Sequence, residues 1–282
     1  METIPLVTLT TDFGTADSYV GSMKGVILTI VPAARLVDIS HQIAPQSVRQ
    51  AAYVLYTAYP FFPSHTVHLV VVDPGVGSSR RAIAVRTPAG TFVGPDNGVL
   101  SYVMTREPVE AIVELSDPRY RLSQVSHTFH GRDLFAPAAA HLAAGIPISA
   151  LGPPVRDPVT LPRPRLDIAG DSITGQVLHA DHFGNVITSI GRLTWERQGL
   201  ALAPTFQNTE ADEQTRFEAD RATITAGKEK LVGIHSTYAQ VEPGETLALV
   251  GSAGHLEIAV REGSAADRLG LQPGDPVTVH IR

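Results

Sequence analysis

The chain has 282 residues, a length that fits two domains, and its 43% hydrophobic and 18% charged residues allow a sizeable core and exclude wholesale disorder. The formal net charge of −6, without a long basic run, disfavours binding of nucleic acid through its phosphates. The absence of cysteine excludes disulfides, zinc–thiolate sites and a cysteine nucleophile.

The N-terminal stretch METIPLVTLT lacks the basic region and apolar segment of a signal peptide. No apolar run approaches the roughly 18 residues of a membrane-spanning helix. We therefore expect a soluble, cytoplasmic protein with no membrane partner.

Predicted strands and helices alternate in the first half of the chain. Residues 66–73 form a continuous apolar run, which is typical of a strand buried on both faces of a parallel sheet. Val20, Met23 and Ile27 recur at helical spacing. The predicted order is strand 5–13, helix 17–32, strand 35–40, helix 45–60, strand 66–73, a strand pair at 81–87 and 91–95, strand 109–115, and an alanine-rich helix at 133–145. This half is predicted to be an α/β domain with a largely parallel sheet.

A stiff, extended linker is predicted where five prolines fall within residues 151–167. We place the N-terminal α/β domain at 1–155, the linker at 156–169 and a smaller domain at 170–282. The last part contains short segments of β character, several of which alternate apolar and polar residues. It is predicted to be a mostly antiparallel β-barrel-like or sandwich domain.

Asp12 lies in TTDFG, where the first predicted strand ends and a loop leads to a helix. Open α/β sheets bind ligands outside the carboxyl ends of their strands, and a carboxylate there can accept hydrogen bonds from a ribose diol. An aspartate at such a position also commonly caps the following helix. The local sequence leaves both interpretations open.

Asp73 ends the most buried predicted strand and precedes the glycine-rich turn PGVGSSRR. Gly75 and Gly77 free the backbone for a tight turn and for close approach of a ligand. Arg80 is near enough in sequence to fold back toward Asp73, where it would favour the ionised carboxylate. A purely structural ion pair explains the same pattern.

His130, in FHGRD, directly precedes the alanine-rich helix. A neutral imidazole can hold or move a proton near neutral pH. Asp133 is predicted to cap the helix and to pair with Arg132. With 11 histidines in the chain, a satisfied or exposed side chain is an equally simple interpretation of any one of them. The position of His130 after a loop, like that of the two aspartates above, makes it a candidate.

The second half offers Asp181, Phe183 and Asn185 within DHFGN. An aromatic ring can stack on a base, and an asparagine amide can hydrogen-bond an adenine edge. A hairpin turn accounts for the same residues. Ser252, between glycines at a strand end, is a weak signal by itself.

Several familiar signatures are absent from the chain. There is no GxGxxG after the first strand, no GxxxxGK[ST] loop, no GxSxG elbow and no HExxH. Dinucleotide oxidoreductases, nucleoside triphosphatases, serine hydrolases and common zinc hydrolases are therefore disfavoured.

Six stretches together resemble one family. They are TTDFG, DPGVG followed by RR, TFVGPDNGVL, FHGRD, DHFGN and LEIAV, in this order through nearly the whole chain. The family is that of the S-adenosyl-L-methionine (SAM) hydrolases that form adenosine, also described as SAM hydroxide adenosyltransferases. It is related to the SAM-dependent fluorinase and chlorinase. The resemblance implies hydrolysis of SAM to adenosine and L-methionine, without cofactor or metal, by an N-terminal α/β and a C-terminal β-barrel-like domain.

The resemblance also implies roles for individual residues. The catalytic Asp, Arg and His of the family fall on Asp73, Arg80 and His130, and its ribose-binding carboxylate falls on Asp12. A homotrimer is implied, with each active site between the N-terminal domain of one subunit and the C-terminal domain of its neighbour. The substrate-binding positions implied in the second domain are Asp181, Phe183, Asn185, Ser252, Glu257 and Val260.

Departures from related sequences are informative at a few positions. The fluorinase has Tyr at the position of Asp73, a halide-binding Ser at that of Gly131, and no equivalent of His130. The chlorinase has the glycine that corresponds to Gly131 but lacks the aspartate and the histidine. The chain therefore resembles the branch that uses water. Family members commonly have Asn-Ser where this chain has Gly251 and Ser252, which makes the methionine contact at Ser252 less secure. A SAM- or adenosine-binding module without turnover, a metal-dependent hydrolase and a halide transferase are the alternatives.

Overall fold

The computed structural model describes residues 4–206 and 214–281. The chain divides between Leu161 and Pro162 into two compact units. This division falls inside the proline-rich segment 156–169.

The N-terminal unit alternates strands and helices. Its regular elements are β1 (Leu6–Thr11), α1 (Tyr19–Ile30), β2 (Arg35–Ser40), α2 (Val48–Ala58), β3 (Val67–Val71), β4 (Ala82–Thr87), β5 (Gly90–Pro95), α3 (Ser101–Arg106), β6 (Ala111–Glu114) and α4 (Ala136–Ala143). Short 3₁₀ turns occupy Tyr59–Phe61, Pro118–Tyr120 and Ile148–Ala150, and a π-helical turn occupies Gly131–Phe135. Each predicted strand and helix of this half is confirmed; α3, at six residues, is too short to show a helical period in the sequence.

The six strands form one sheet in the order β2-β1-β3-β5-β4-β6. The four strands β2, β1, β3 and β5 run parallel, whereas β4 is antiparallel to β5 and β6. The prediction of a largely parallel sheet is therefore confirmed. Since β1 and β3 are parallel neighbours, the residues that follow them lie side by side at the carboxyl edge of the sheet.

Two pairs of helices cover the sheet. Alternate strand residues such as Val7, Leu9 and Leu69 share a buried cluster with α1 and α4 residues such as Met23 and Ala140. Successive side chains of a strand point to opposite faces, so the other face is left to α2 and α3, which pack against each other. The unit is a three-layer α/β sandwich.

The start of α4 differs from the sequence prediction. The turn Gly131–Phe135 is π-helical, and the cap position before it is occupied by His130. The prediction that Asp133 caps the helix is wrong, because its buried carboxylate accepts the backbone N–H of Ser126 at 2.8 Å instead. Its predicted pairing with Arg132 is confirmed, with 2.6 Å between Nε and Oδ1.

The C-terminal unit consists mainly of β-strands. Its regular elements are β7 (Leu166–Ala169), β8 (Ser172–Ala180), β9 (Val186–Gly191), β10 (Leu193–Glu196), β11 (Gly199–Leu202), β12 (Thr215–Phe217), β13 (Thr223–Ala226), β14 (Glu229–Val232), β15 (Ile234–His235), β16 (Thr246–Val250), β17 (His255–Val260), α5 (Ala265–Leu269) and β18 (Pro276–His280). A 3₁₀ turn occupies Tyr238–Gln240.

Nine of these strands form a single sheet in the order β14-β13-β18-β8-β9-β17-β16-β15, with β7 added on β8. The sheet curls until β14 lies against β16, so that it is nearly closed and barrel-like. Strands β10, β11 and β12 form a separate small sheet. The predicted antiparallel barrel-like domain is confirmed, with one parallel pair, β15 and β16, as the exception.

The proline-rich segment belongs structurally to both units. Arg81 donates to the Asp157 carboxylate at 2.7 Å, and the backbone N–H of Val159 donates to Asp96 at 2.7 Å. These bonds attach the first part of the segment to the N-terminal unit. Its last four residues, 166–169, form β7, which the prediction of an uninterrupted linker had not anticipated.

Candidate active site

Asp12 lies one residue beyond the carboxyl end of β1. Its Oδ2 accepts the backbone N–H of Gln46 at 2.8 Å, and Gln46 holds the left-handed backbone conformation, at φ 66°, that directs this N–H to the carboxylate. Helix α1 begins at Tyr19 with Ser18 in its cap position. The alternative that Asp12 caps α1 is therefore wrong. The Gln46 contact was not predicted, because only the tertiary fold brings residue 46 to residue 12.

Asp73 and Arg80 form the ion pair that the sequence predicted. Arg80 Nε lies 2.9 Å from Asp73 Oδ1 and 3.0 Å from Oδ2, and Arg80 Nη2 donates to Oδ2 as well. The Asp73 side chain is 5% exposed. On its other side the guanidinium lies over the Phe135 ring, 5.2 Å from the centroid. Both groups of the pair are thus fixed from several directions.

Glycine is required in the turn between them. Gly77 adopts φ 78°, and a Cβ there would lie 2.7 Å from the carbonyl oxygen of His127. Only a residue without a side chain fits a left-handed conformation at this distance from another backbone segment. The turn therefore packs tightly on the segment that leads to His130.

His130 completes a hydrogen-bonded chain with the ion pair. Its Nδ1 lies 2.8 Å from Arg80 Nη2. Burial, and then the neighbouring positive charge of Arg80, lower the pKa of His130 from its ordinary value of 6.5. The imidazole is therefore neutral at neutral pH.

Asp12, Asp73 and His130 line one cleft of about 650 Å³. Three aromatic rings also line it: Phe13 lies 5.6 Å from Tyr19 and 5.9 Å from Phe129, and Tyr19 lies 5.2 Å from Phe129, between ring centroids. These rings were not predicted as site residues, although Phe13 and Phe129 lie inside the TTDFG and FHGRD motifs. The cleft thus joins carboxylates and a neutral imidazole to an aromatic wall.

The floor of this cleft leaves little room at Gly131. A Cβ there would lie 3.3 Å from Met23 Sδ and Phe129 Cε2, and 3.4 Å from Phe13 Cε2. A side chain at position 131 would therefore require these neighbours to shift by a few tenths of an ångström.

In the C-terminal unit, Asp181 organises the turn between β8 and β9. Its Oδ1 accepts the backbone N–H groups of Phe183 and Asn185, each at 2.9 Å. The hairpin-turn interpretation of DHFGN is therefore confirmed. The turn leaves the Phe183 ring 74% exposed, whereas Asn185 is buried.

A tyrosine that the sequence analysis missed connects Asn185 to Glu257. Asn185 Nδ2 donates to Asp181 Oδ2 at 2.9 Å and to the Tyr238 hydroxyl at 3.3 Å, and that hydroxyl donates to Glu257 Oε2 at 3.3 Å. Burial raises the pKa of Glu257 and raises that of Tyr238 to about 12. The signal available in the sequence was TYAQ, whose Thr237 and Gln240 form a capping box around this tyrosine.

Phe183, Asn185, Tyr238 and Val260 line a second cleft, of about 530 Å³, in the C-terminal unit. Ser252 is exposed in the turn between β16 and β17 and is not among the residues that line it. Of the residues predicted in this unit, Phe183, Asn185 and Val260 line the cleft, and Asp181 and Glu257 are joined to its lining by hydrogen bonds.

The space beside Gly251 explains the missing side chain there. A Cβ at position 251 would overlap the carboxylate and Cγ of Glu257. The side chain of Glu257 thus occupies the volume that an asparagine at position 251 would need. Glycine at this position and the observed place of Glu257 depend on each other.

Residues 4–206 and 214–281 contain neither a membrane-spanning helix nor a metal-binding cluster of side chains. Each helix in these ranges is too short or too polar to span a bilayer. In the same ranges, no three His, Asp or Glu side chains are grouped to hold a metal ion.

Comparison with known proteins gives a consistent result for both units. The family model described as "SAM hydroxide adenosyltransferase N-terminal domain" matches residues 7–152. The model described as "SAM hydroxide adenosyltransferase C-terminal domain" matches residues 175–278. The chain belongs to the SAM hydroxide adenosyltransferase family. The resemblance of the six motifs is thereby confirmed.

Members and relatives of the SAM hydroxide adenosyltransferases match along almost the entire chain. The chain is 40% identical to a protein of Salinispora tropica named (R)-S-adenosyl-L-methionine hydrolase, with 99% of each chain covered. It is 40% identical to a protein of the same name from Thermus thermophilus, over 94% of this chain and 96% of that one. A fluorinase from an Actinoplanes species is 26% identical, over 98% of this chain and 97% of that one.

A solved structure shares the fold of this chain. The crystal structure of an uncharacterized conserved protein from Thermotoga maritima superposes with a TM-score of 0.84 at 36% identity, covering 97% of this chain and 99% of that chain.

Proposed function

We propose that the chain hydrolyses SAM to adenosine and L-methionine, with water attacking the 5′ carbon of the ribose in line with the bond to sulfur. The observation that carries this proposal is the hydrogen-bonded chain Asp73–Arg80–His130 in one cleft with Asp12. The hydrolase names of relatives at 40% identity support it.

The chemistry requires a positioned nucleophile more than an acid. The sulfur of SAM carries a positive charge, so methionine leaves as a neutral thioether and needs no protonation. Holding a water in line with the carbon–sulfur bond can lower the barrier by roughly 7–11 kcal/mol. Free hydroxide is costly to form without a metal, because bulk water has a pKa of about 15.7, so the proton leaves the water as the new bond forms.

In this proposal, the residues of the two units bind different parts of SAM. Asp12, fixed by the Gln46 N–H, accepts the ribose hydroxyls. The side chains of the C-terminal unit bind the adenine and methionine ends. They are Asp181, Phe183, Asn185, Ser252, Glu257 and Val260.

The assembly, the location and the lack of a cofactor are further parts of the proposal. We infer a cytoplasmic homotrimer in which the N-terminal unit of one subunit and the C-terminal unit of its neighbour complete each active site. A cationic leaving group removes the need for a Lewis acid, so we infer a metal-independent reaction. Mass photometry at nanomolar concentration tests the trimer.

We infer that the (R) epimer at sulfur is the preferred substrate, since the relatives at 40% identity are named for it. Inversion at sulfur exchanges the directions of the methyl group and the methionine chain. When the adenosine and the methionine chain are both held, the other epimer carries its methyl group where the first has the sulfur lone pair, so a site that packs against the methyl group distinguishes the two. Measuring kcat/KM with each separated epimer tests this choice.

The first experiment incubates the purified chain with SAM and quantifies adenosine and methionine by mass spectrometry. Equal amounts of both products are expected, with no change on adding EDTA. Asp73→Asn and His130→Ala are expected to lose most of this activity, because each removes a partner of the water. Arg119→Ala, at an exposed ion pair with Asp117, is the control expected to keep it.

Other outcomes point to the alternatives. SAM binding without adenosine would indicate a binding module, and loss of activity with EDTA would indicate a metal site. A chloride-dependent halogenated nucleoside would indicate a halide transferase, which the close contacts around Gly131 disfavour.

A further inference from the structure

The hydrogen bond between Arg80 and His130 determines which imidazole nitrogen carries the proton. A guanidinium has five N–H donors, no acceptor, and stays protonated in proteins. Arg80 Nη2 lies 2.8 Å from His130 Nδ1. His130 Nδ1 must therefore be the acceptor and carry no proton, which places the proton of the neutral ring on Nε2.

The geometry also fixes the orientation of the ring. Rotating the imidazole by half a turn would put carbon Cδ2 against the guanidinium and lose this hydrogen bond. One N–H of Arg80 Nη2 points to Asp73 and the other to His130, so both hydrogens of that nitrogen are used. In the described part of the chain, Arg80 is the one hydrogen-bond partner of the ring. His130 Nε2–H is thereby left for a ligand in the cleft that His130 lines.

We propose that, in the hydrolysis of SAM on which this inference rests, His130 donates a hydrogen bond to the attacking water through Nε2–H while Asp73 accepts the proton of that water. His130 is then not the general base. Its Nδ1 is occupied by the hydrogen bond from Arg80, and its Nε2 already bears a proton. Asp73, as a carboxylate with about four lone-pair positions, keeps acceptor capacity beyond its bonds to Arg80.

The step balances with these groups alone. The water oxygen forms a bond to the 5′ carbon as the carbon–sulfur bond breaks, and the electron pair of that bond neutralises the sulfonium. The proton lost by the water moves to Asp73, and from there to solvent after the products leave. Arg80 stays protonated throughout and orients both partners of the water.

Other charged groups around the ring are consistent with a neutral imidazole. Arg80 and His127 disfavour a positive charge on His130, whereas Asp73 and Asp133 favour one. Burial is the largest influence, and it lowers the pKa of His130. A donor role for His130 therefore persists through the neutral pH range.

A matched pair of substitutions separates a donor from a base. His130→Gln places an amide N–H near the position of Nε2, and His130→Glu places an ionised acceptor of the same size there. If His130 is a donor, His130→Gln keeps kcat within about tenfold of wild type, and His130→Glu falls at least as far as His130→Ala. An active Glu variant beside an inactive Gln variant would overturn the proposal.

Histidine ¹⁵N NMR gives a readout that does not depend on activity. In the selectively ¹⁵N-histidine-labelled protein, the His130 signals are assigned by their absence in His130→Gln. Between pH 6.5 and 8.5 we expect an unprotonated Nδ1 and a protonated Nε2. A proton on Nδ1 overturns the proposal whatever the variants do. A wild-type chain that makes no adenosine from SAM refutes the proposed function instead, and the NMR result then still decides the tautomer.

Discussion

At the scale of single residues, both clefts contain side chains whose contacts restrict what a neighbouring position can hold, either a proton or a larger side chain. Arg80 excludes a proton from one nitrogen of His130, and Met23 and two phenylalanine rings leave little room for a side chain at Gly131. In the C-terminal unit the Glu257 carboxylate occupies the volume beside Gly251. Each exclusion follows from contact distances and can be tested by one substitution.

Substitution of Gly251 is expected to act through Glu257. Gly251→Ala puts a methyl group into the Glu257 side chain, which must swing away from Tyr238, and overpacking of this kind costs about 1–3 kcal/mol. Urea denaturation is expected to show this loss in the free energy of unfolding. When Gly251→Ala is made in a chain that already carries Glu257→Ala, most of the loss is expected to disappear.

Gly25→Ala is the matched control, since a Cβ at Gly25 in α1 meets nothing within 4 Å and should leave stability unchanged or raise it. Equal costs of Gly251→Ala with and without Glu257 would show that the two positions are not coupled.

At the scale of the elements, the carboxyl ends of β1 and β3 and the start of the π-helical turn bring Asp12, Asp73 and His130 to one cleft. The first turn of α1 adds Tyr19, 46% exposed, to the aromatic wall of the cleft. Ring faces attract cations, and a sulfonium is a cation. We therefore expect the wall to favour SAM over its neutral thioether relatives.

Tyr19→Leu keeps apolar volume but removes the ring. We expect SAM to bind about 2–30-fold more weakly, the range that corresponds to roughly 0.5–2 kcal/mol of cation–π attraction. Isothermal titration with SAM and with its neutral thioether, S-adenosylhomocysteine, checks this, with Asp73→Asn added to prevent turnover. An equal loss for both ligands would mean that the ring supplies only apolar contact.

The segment after the N-terminal sheet is held by Arg81. This side chain donates to Asp96 Oδ2 and Asp157 Oδ1, and Asp96 also accepts the N–H of Val159. Arg81→Ala is expected to release residues 156–161 and to speed trypsin cleavage after Arg156 several-fold. Arg119→Ala serves as the control for loss of an arginine. Unchanged cleavage would show that the prolines alone hold the segment.

Sequence patterns predicted the elements of the N-terminal unit because buried parallel strands and amphipathic helices of 8 to 12 residues have distinct periods. Strands β10, β11 and β14, of four residues each, were missed because so short a stretch cannot establish alternation. The Asp73–Arg80 pair lies seven residues apart and was predictable. The contacts of Gln46 with Asp12 and of Tyr238 with Glu257 join distant segments, so only the fold reveals them.

At the scale of the whole molecule, each unit contains a buried histidine whose pKa is strongly lowered. Burial lowers the pKa of His68 to about 3 in the N-terminal unit and that of His255 to about 4 in the C-terminal unit. The unfolded chain protonates both near pH 6.5. Both groups therefore contribute stability above pH 6.5 that is lost as the pH falls toward 4, because the unfolded state then binds protons that the folded state does not.

The expected loss between pH 7 and pH 5 is about 2 kcal/mol for each histidine. Urea unfolding at the two pH values measures this loss. His68→Gln should remove the part of the loss that comes from the N-terminal unit. His182→Gln, at an exposed position in the β8–β9 turn, should not change the loss. An identical pH dependence in His68→Gln would contradict this account.

The most direct measurement is the reaction in water enriched in ¹⁸O, with the products analysed by mass spectrometry. The account predicts one ¹⁸O atom in the 5′-hydroxyl of adenosine and none in methionine, because the water held at Asp73 and His130 attacks the 5′ carbon. Adenosine without the label, or label elsewhere in the products, would contradict attack of water at that carbon.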